Sequence, residues 1–135
     1  GKVRKTLGDD AIVGSFCAGS RHDGMTAGEL GADYVAFGPV GDTSLGQTRP
    51  VGHELFVWWS MMIEVPVVAE GALTTEAIPA LAPHTDFFGI GDEIWHSDAP
   101  AQKLADWHAM LGMIFRTGKS FVSQLFLLVI QQSII

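Results

Sequence analysis

The chain has 135 residues, about one domain, with 47% hydrophobic and 17% charged residues. Its formal net charge of −7 argues against a general nucleic-acid binder, although backbone N–H groups can hold phosphate without net positive charge. A single cysteine, Cys17, rules out an internal disulfide and fits a reducing, cytoplasmic setting.

The N-terminal GKVRKTLGDD has no apolar run behind its basic residues, so it does not read as a signal peptide. It also has no initiator Met, which suggests a chain that begins within a longer protein. Ala11-Ile12-Val13 is the first short apolar run and reads as a strand. Ser20-Arg21-His22-Asp23 resembles a capping box, with Met25, Ala27 and Leu30 as the apolar face of a helix. Asp33–Phe37 forms the second strand pattern. It runs into a long polar loop that starts at Gly38-Pro39, and such loops after buried strands commonly bind ligands. Glu54–Ile63 is a helix pattern with Leu55, Trp58, Trp59 and Met62 at helical spacing. Val65–Ala69 is the third strand. Thr74 then caps a helix through Leu81, which Pro79 keeps short. Phe87–Ile90 is the fourth strand, and Asp98 precedes a helix over Ala99–Leu111 with Pro100 in its first turn.

Four consecutive βα units predict an α/β fold with a parallel sheet, its strands apolar on both faces. A (β/α)₈ barrel needs eight units and about 250 residues, so the pattern describes a small open sheet or half a TIM barrel. Residues 1–112 form this unit and carry all fifteen acidic residues. Residues 113–135 carry Arg116 and Lys119, no acid, and the apolar FVSQLFLLVIQQSII. That stretch is shorter than the roughly 20 residues of a membrane span, so no membrane is expected. It reads as an atypical tail: an extra element covering exposed core, or a segment foreign to the domain.

In parallel α/β folds, ligands bind at the C-terminal ends of the strands. Those ends here are Gly14–Ser20, Gly38–Ser44, Glu70–Thr74 and Gly91-Asp92-Glu93. Glycine lets the backbone turn sharply and bring its N–H groups close to a ligand, although βα loops use glycine in any case.

The stretch GSFCAGSRHDGMTAGELGADYVAFGPVGDTS, followed by ELFVWWSMMIEVPVVAEGAL and DFFGIGDEIW, resembles the thiamine phosphate synthase family over about residues 3–111. The resemblance implies the C-terminal half of a (β/α)₈ barrel, strands five to eight. It also implies a transferase that joins hydroxymethylpyrimidine diphosphate to thiazole phosphate and releases pyrophosphate with magnesium. By that resemblance Gly71, Ala72, Gly91 and Asp92 hold the thiazole phosphate through backbone N–H groups, and Thr43 positions substrate.

The departures from the family pattern bear on activity. A threonine and lysine of the diphosphate loop are replaced by Leu45 and Gly46, leaving nearby Arg49 as a substitute charge of different geometry. The serine that ends the first of these strands is Phe16, and the second glycine of a Gly-Gly turn is Ala72. Asp92-Glu93 replaces a small neutral pair. Glu70 is a third acid nearby, and carboxylates beside a phosphate repel it unless they point away or a cation intervenes. The family's magnesium carboxylates belong to earlier strands, so no metal ligand is assigned here and the chain alone is expected to be inactive. Related thiazole tautomerases use a histidine where this chain has Ala18.

Two further readings stand beside the transferase fragment. One is a non-enzymatic phosphate or thiazole-phosphate binding module. The other is a half-barrel that self-associates through its open sheet edges. Outside these loops, His22 and Asp23 read as helix-start residues and Cys17 as a small packing residue. His53, His84, His96 and His108 show no metal spacing. Asp92 and Glu93 suit magnesium as hard oxygen ligands, while Glu93 suits equally the first turn of a helix.

Overall fold

The computed structural model describes residues 2–42, 49–117 and 126–129, with 115–117 and 126–129 described through their backbone. In chain order the elements are α1 (Lys2–Leu7), β1 (Gly14–Phe16), α2 (Arg21–Glu29), β2 (Tyr34–Phe37), α3 (His53–Met62) and β3 (Val67–Glu70). They continue with α4 (Ala77–Leu81), a 3₁₀ turn over Ala82–His84, β4 (Phe87–Ile90), α5 (Asp92–Trp95), α6 (Pro100–Thr117) and β5 (Phe126–Val129).

The strands form one parallel sheet in the order β1-β2-β3-β4-β5. Spatial order equals sequence order, so the winding never reverses. A doubly wound sheet reverses at its switch point; a barrel wall does not. Consecutive C-terminal strand ends are therefore neighbours along one rim.

The central strands are buried: Val35, Phe37, Val67, Ala69, Phe88 and Ile90 are all at or near zero exposure. Helix α3 covers them with Leu55, Phe56 and Trp59. Phe37 meets the Trp59 ring edge-on at 5.0 Å and the Phe56 ring at 6.0 Å, and such pairs add about 0.5–1.5 kcal/mol each beyond burial. The buried indole N–H of Trp59 donates to the Val65 carbonyl at 2.8 Å, so its polar atom is satisfied.

Local signals behave as the chemistry requires. The Ser20 hydroxyl accepts the Asp23 N–H at 3.1 Å and starts α2. The Thr74 hydroxyl accepts the Ala77 N–H at 3.1 Å and starts α4 after a turn at Thr75-Glu76.

Two expectations are corrected. First, the opening strand is Gly14–Phe16, not Ala11–Val13. Ile12 is 81% exposed, and parallel pairing with β2 begins at Gly14 opposite Tyr34, whose ring lies against the bare Gly14 backbone. An edge strand needs little burial, so hydrophobicity does not mark it. Second, the last helix continues past Leu111 to Thr117, so residue 112 lies within it. Leu104, Trp107, Leu111 and Ile114 recur at helical spacing and pack on the core, and exposed Gly112 is tolerated between them. Beside the four strands of the βα units, the described residues include a fifth, because Phe126–Val129 pairs in register with Phe87–Ile90. No helix among the described residues is long and apolar enough to cross a membrane.

Candidate functional site

The C-terminal rim is built from the turns that follow β1 to β4. After β2, residues 39–41 lie along the β3 turn. The Val40 N–H is shared between the Glu70 carbonyl (3.0 Å) and the Gly71 carbonyl (2.9 Å), and the Gly41 N–H donates to the Gly71 carbonyl at 3.1 Å. Gly41 packs so closely on the Ala72 carbonyl that no Cβ fits there. The Gly38–Pro39 peptide bond is cis.

The β3 turn itself uses two left-handed residues, Gly71 at φ +85° and Ala72 at φ +52°. A Cβ on Gly71 would come within 2.8 Å of Pro39 Cα, so this glycine is required twice over, for φ and for space. Alanine at the next position adopts a conformation that disfavours an L side chain by about 1–2 kcal/mol.

The turns after β3 and β4 meet through one side chain. Glu93, in the first turn of α5, accepts the Leu73 N–H on Oε1 at 2.9 Å and the Gly91 N–H on Oε2 at 3.0 Å. Both carboxylate oxygens thus sit on backbone donors from two different loops. Glu70, at the end of β3, is half-buried beside them. Burial, and secondarily the Glu93 charge, raise its carboxyl above the usual carboxylate range.

The site residues anticipated from the sequence fall as follows. Gly71 and Ala72 form the β3 turn, and Gly91 and Asp92 start α5 on the neighbouring strand, so the structure brings the two pairs to adjacent positions on the rim. Asp92 is exposed and faces its own helix, with Oδ1 3.8 Å from His96 Nε2. Thr43 lies outside the described residues, as do Leu45 and Gly46. Arg49 is exposed and lines a cavity of about 360 Å³ between the β1 turn and the start of α3.

Two residues gain weight only here. Arg21 lines the same cavity as Arg49, and its guanidinium stacks on Trp58 at 3.9 Å. Its position beside the capping Ser20 had marked it only as a helix-start residue. Glu93 was legible as a helix acid or a metal ligand, but nothing in the sequence pointed to its two amide partners.

No group of three His, Cys, Asp or Glu side chains among the described residues could hold a metal. Both oxygens of Glu93 are committed to backbone amides, and Asp92 is directed along α5.

Two of the histidines contact each other. His53 and His84 stack edge-on at 5.3 Å, and Ser60 Oγ lies 3.3 Å from His84 Nδ1. His84 precedes β4, so this Ser–His contact lies at the end of the sheet opposite the rim.

The family model described as thiamine monophosphate synthase matches residues 1–90. The chain belongs to that family. It is 41% identical over 113 residues to a thiamine-phosphate synthase of Rhodospirillum centenum, an overlap of 82% of this chain and 55% of the relative. It is 38% identical over 104 residues to a thiamine-phosphate synthase of Erythrobacter litoralis, covering 74% of this chain and 49% of the relative. The chain thus spans about half the length of the curated relatives it matches. Among solved structures, thiamine phosphate pyrophosphorylase from Pyrococcus furiosus superposes with a TM-score of 0.72 over 84% of this chain and 55% of that one. At 19% identity that likeness speaks for the fold.

Proposed function

We propose that this chain is the C-terminal half-barrel of a thiamine phosphate synthase-type transferase and supplies the thiazole-phosphate side of its site. In the intact enzyme the diphosphate would leave first, breaking the bond to the pyrimidine methylene, and the thiazole nitrogen would then attack the resulting pyrimidine cation. Such chemistry asks the protein for positioning and for charge stabilisation of the leaving group. The backbone donors at Gly71, Ala72, Gly91 and Asp92 are assigned to the thiazole phosphate, Thr43 to positioning, and Arg49 with Arg21 to diphosphate charge. The reading is carried by one observation: the turns after Glu70 and Ile90 are close enough to share a single carboxylate.

The chain alone is assigned no turnover. In the family the reaction uses magnesium, and no three His, Cys, Asp or Glu side chains cluster among the described residues. The family's biosynthetic role and the single cysteine favour a cytoplasmic setting. Incubating the purified chain with both substrates and magnesium tests the assignment through pyrophosphate release. No release together with measurable calorimetric binding of thiazole phosphate is the expected result. Robust turnover would refute the half-site reading.

A second reading concerns association. The β1 edge is open among the described residues and is flanked by Ile12, 81% exposed, and Phe16, 59% exposed. Open parallel edges favour pairing with another chain. Sedimentation velocity should show association that grows with concentration, and a clean monomer at every concentration would remove this reading.

A further inference from the structure

The Glu93 carboxylate is an anion already seated between the two turns to which the phosphate ester is assigned. Its two oxygens take the Leu73 and Gly91 N–H groups at 2.9 and 3.0 Å, much as two phosphate oxygens would. Gly91 is one of the four donors assigned to the ester, and Leu73 directly follows Ala72. A phosphate oxygen and the Glu93 carboxylate cannot both use the Gly91 N–H. They also repel each other, and the neighbouring Glu70 carboxyl already senses Glu93.

We propose that Glu93 is a specificity-determining residue, a built-in competitor that weakens binding of a phosphate monoester at this rim and leaves binding of the uncharged thiazole alcohol untouched. The inference rests on the phosphate reading of the rim and adds the residue that governs it. The carboxylate is half-buried at the open end of the sheet, so water can receive it.

The test compares the native chain with Glu93→Gln and Glu93→Ala by calorimetry, using thiazole phosphate, the unphosphorylated thiazole alcohol and inorganic sulfate as probes. Amide NMR of Leu73 and Gly91 reports where each ligand sits. Glu93→Gln keeps a carbonyl acceptor for one amide and guards against a folding defect, which circular dichroism checks. Thiazole phosphate and sulfate should bind about tenfold more tightly to both variants than to the native chain, with the Leu73 and Gly91 amides shifting, while alcohol binding stays unchanged. Equal or weaker binding of thiazole phosphate by the folded variants overturns the role of Glu93, and leaves the phosphate reading standing if the native chain binds it. Tighter sulfate binding by the variants, with no binding of thiazole phosphate to any form, supports the competitor role and overturns the substrate assignment.

Discussion

Gly24 lies directly against Trp59: a Cβ at Gly24 would stand 2.8 Å from Trp59 Cζ3 and 2.9 Å from Phe37 Cζ. Helix α2 can approach the core only because this position is bare. Two effects oppose each other in a Gly24→Ala variant. Helix propensity favours alanine by about 1 kcal/mol. Overpacking against two buried rings costs about 1–3 kcal/mol. Trp59 and Phe37 are fully buried and packed on each other, so moving either ring disturbs core contacts and the clash outweighs the propensity gain. A net loss of up to about 2 kcal/mol in urea unfolding is expected. A gain in stability would show that the α2–α3 packing is looser than described.

The β3 turn makes a second, opposite pair of predictions. Gly71→Ala should destabilise by about 1–3 kcal/mol, because it combines a left-handed backbone with contact to Pro39 Cα. Ala72→Gly removes a left-handed side chain, worth about 1–2 kcal/mol, but frees the unfolded chain by about 0.4–1 kcal/mol. The net runs from near zero to a gain of about 1.6 kcal/mol. Thermal unfolding of the two single variants checks both signs.

Acid stability contains contributions of opposite sign. The Glu70 carboxyl is raised by burial and then by Glu93, so the folded state holds its proton more tightly than the unfolded state. Its stabilising contribution is present below the ordinary glutamate pKa of about 4.3 and is lost as pH rises through the raised folded value. Asp33 behaves oppositely. The Val13 N–H and then Arg4 hold its carboxyl low, so its contribution is present above the ordinary aspartate value and is lost as acid protonates it. Glu70→Gln should raise stability at pH 7 and flatten the fall between pH 4 and neutrality. Asp33→Asn should flatten the loss below pH 4. Urea melts across pH 3–7 separate the two.

His84 gives a third pH-dependent contribution. Burial, and then the neighbouring His53, lower its pKa, so the unfolded chain binds the proton more tightly. Stability from this group is complete above the ordinary histidine value of about 6.5 and falls as pH drops through it. His84→Gln should remove that part of the slope. An NMR titration in which His84 protonates above the value of a free histidine would contradict the assignment.

The amino-acid sequence by itself determined the βα order. Buried runs such as Val35-Ala36-Phe37 and Phe87–Ile90 are apolar on both faces, and turn residues such as Gly38-Pro39 and Gly91 follow them. Ser20 and Thr74 were readable as helix starts, because a cap is a contact between residues three apart. The tertiary structure alone decided what depends on distant partners. Gly14–Phe16 becomes a strand because Tyr34 and its neighbours offer a pairing edge, not because the segment is apolar. Helix α6 outlasts Leu111 because the core has room for Ile114. Glu93 meets Leu73 across 20 positions of chain, since parallel pairing sets β3 beside β4 and so aligns their turns. Local chemistry specifies which segments form elements; only the register between elements specifies which backbone donors an acid two loops away will find.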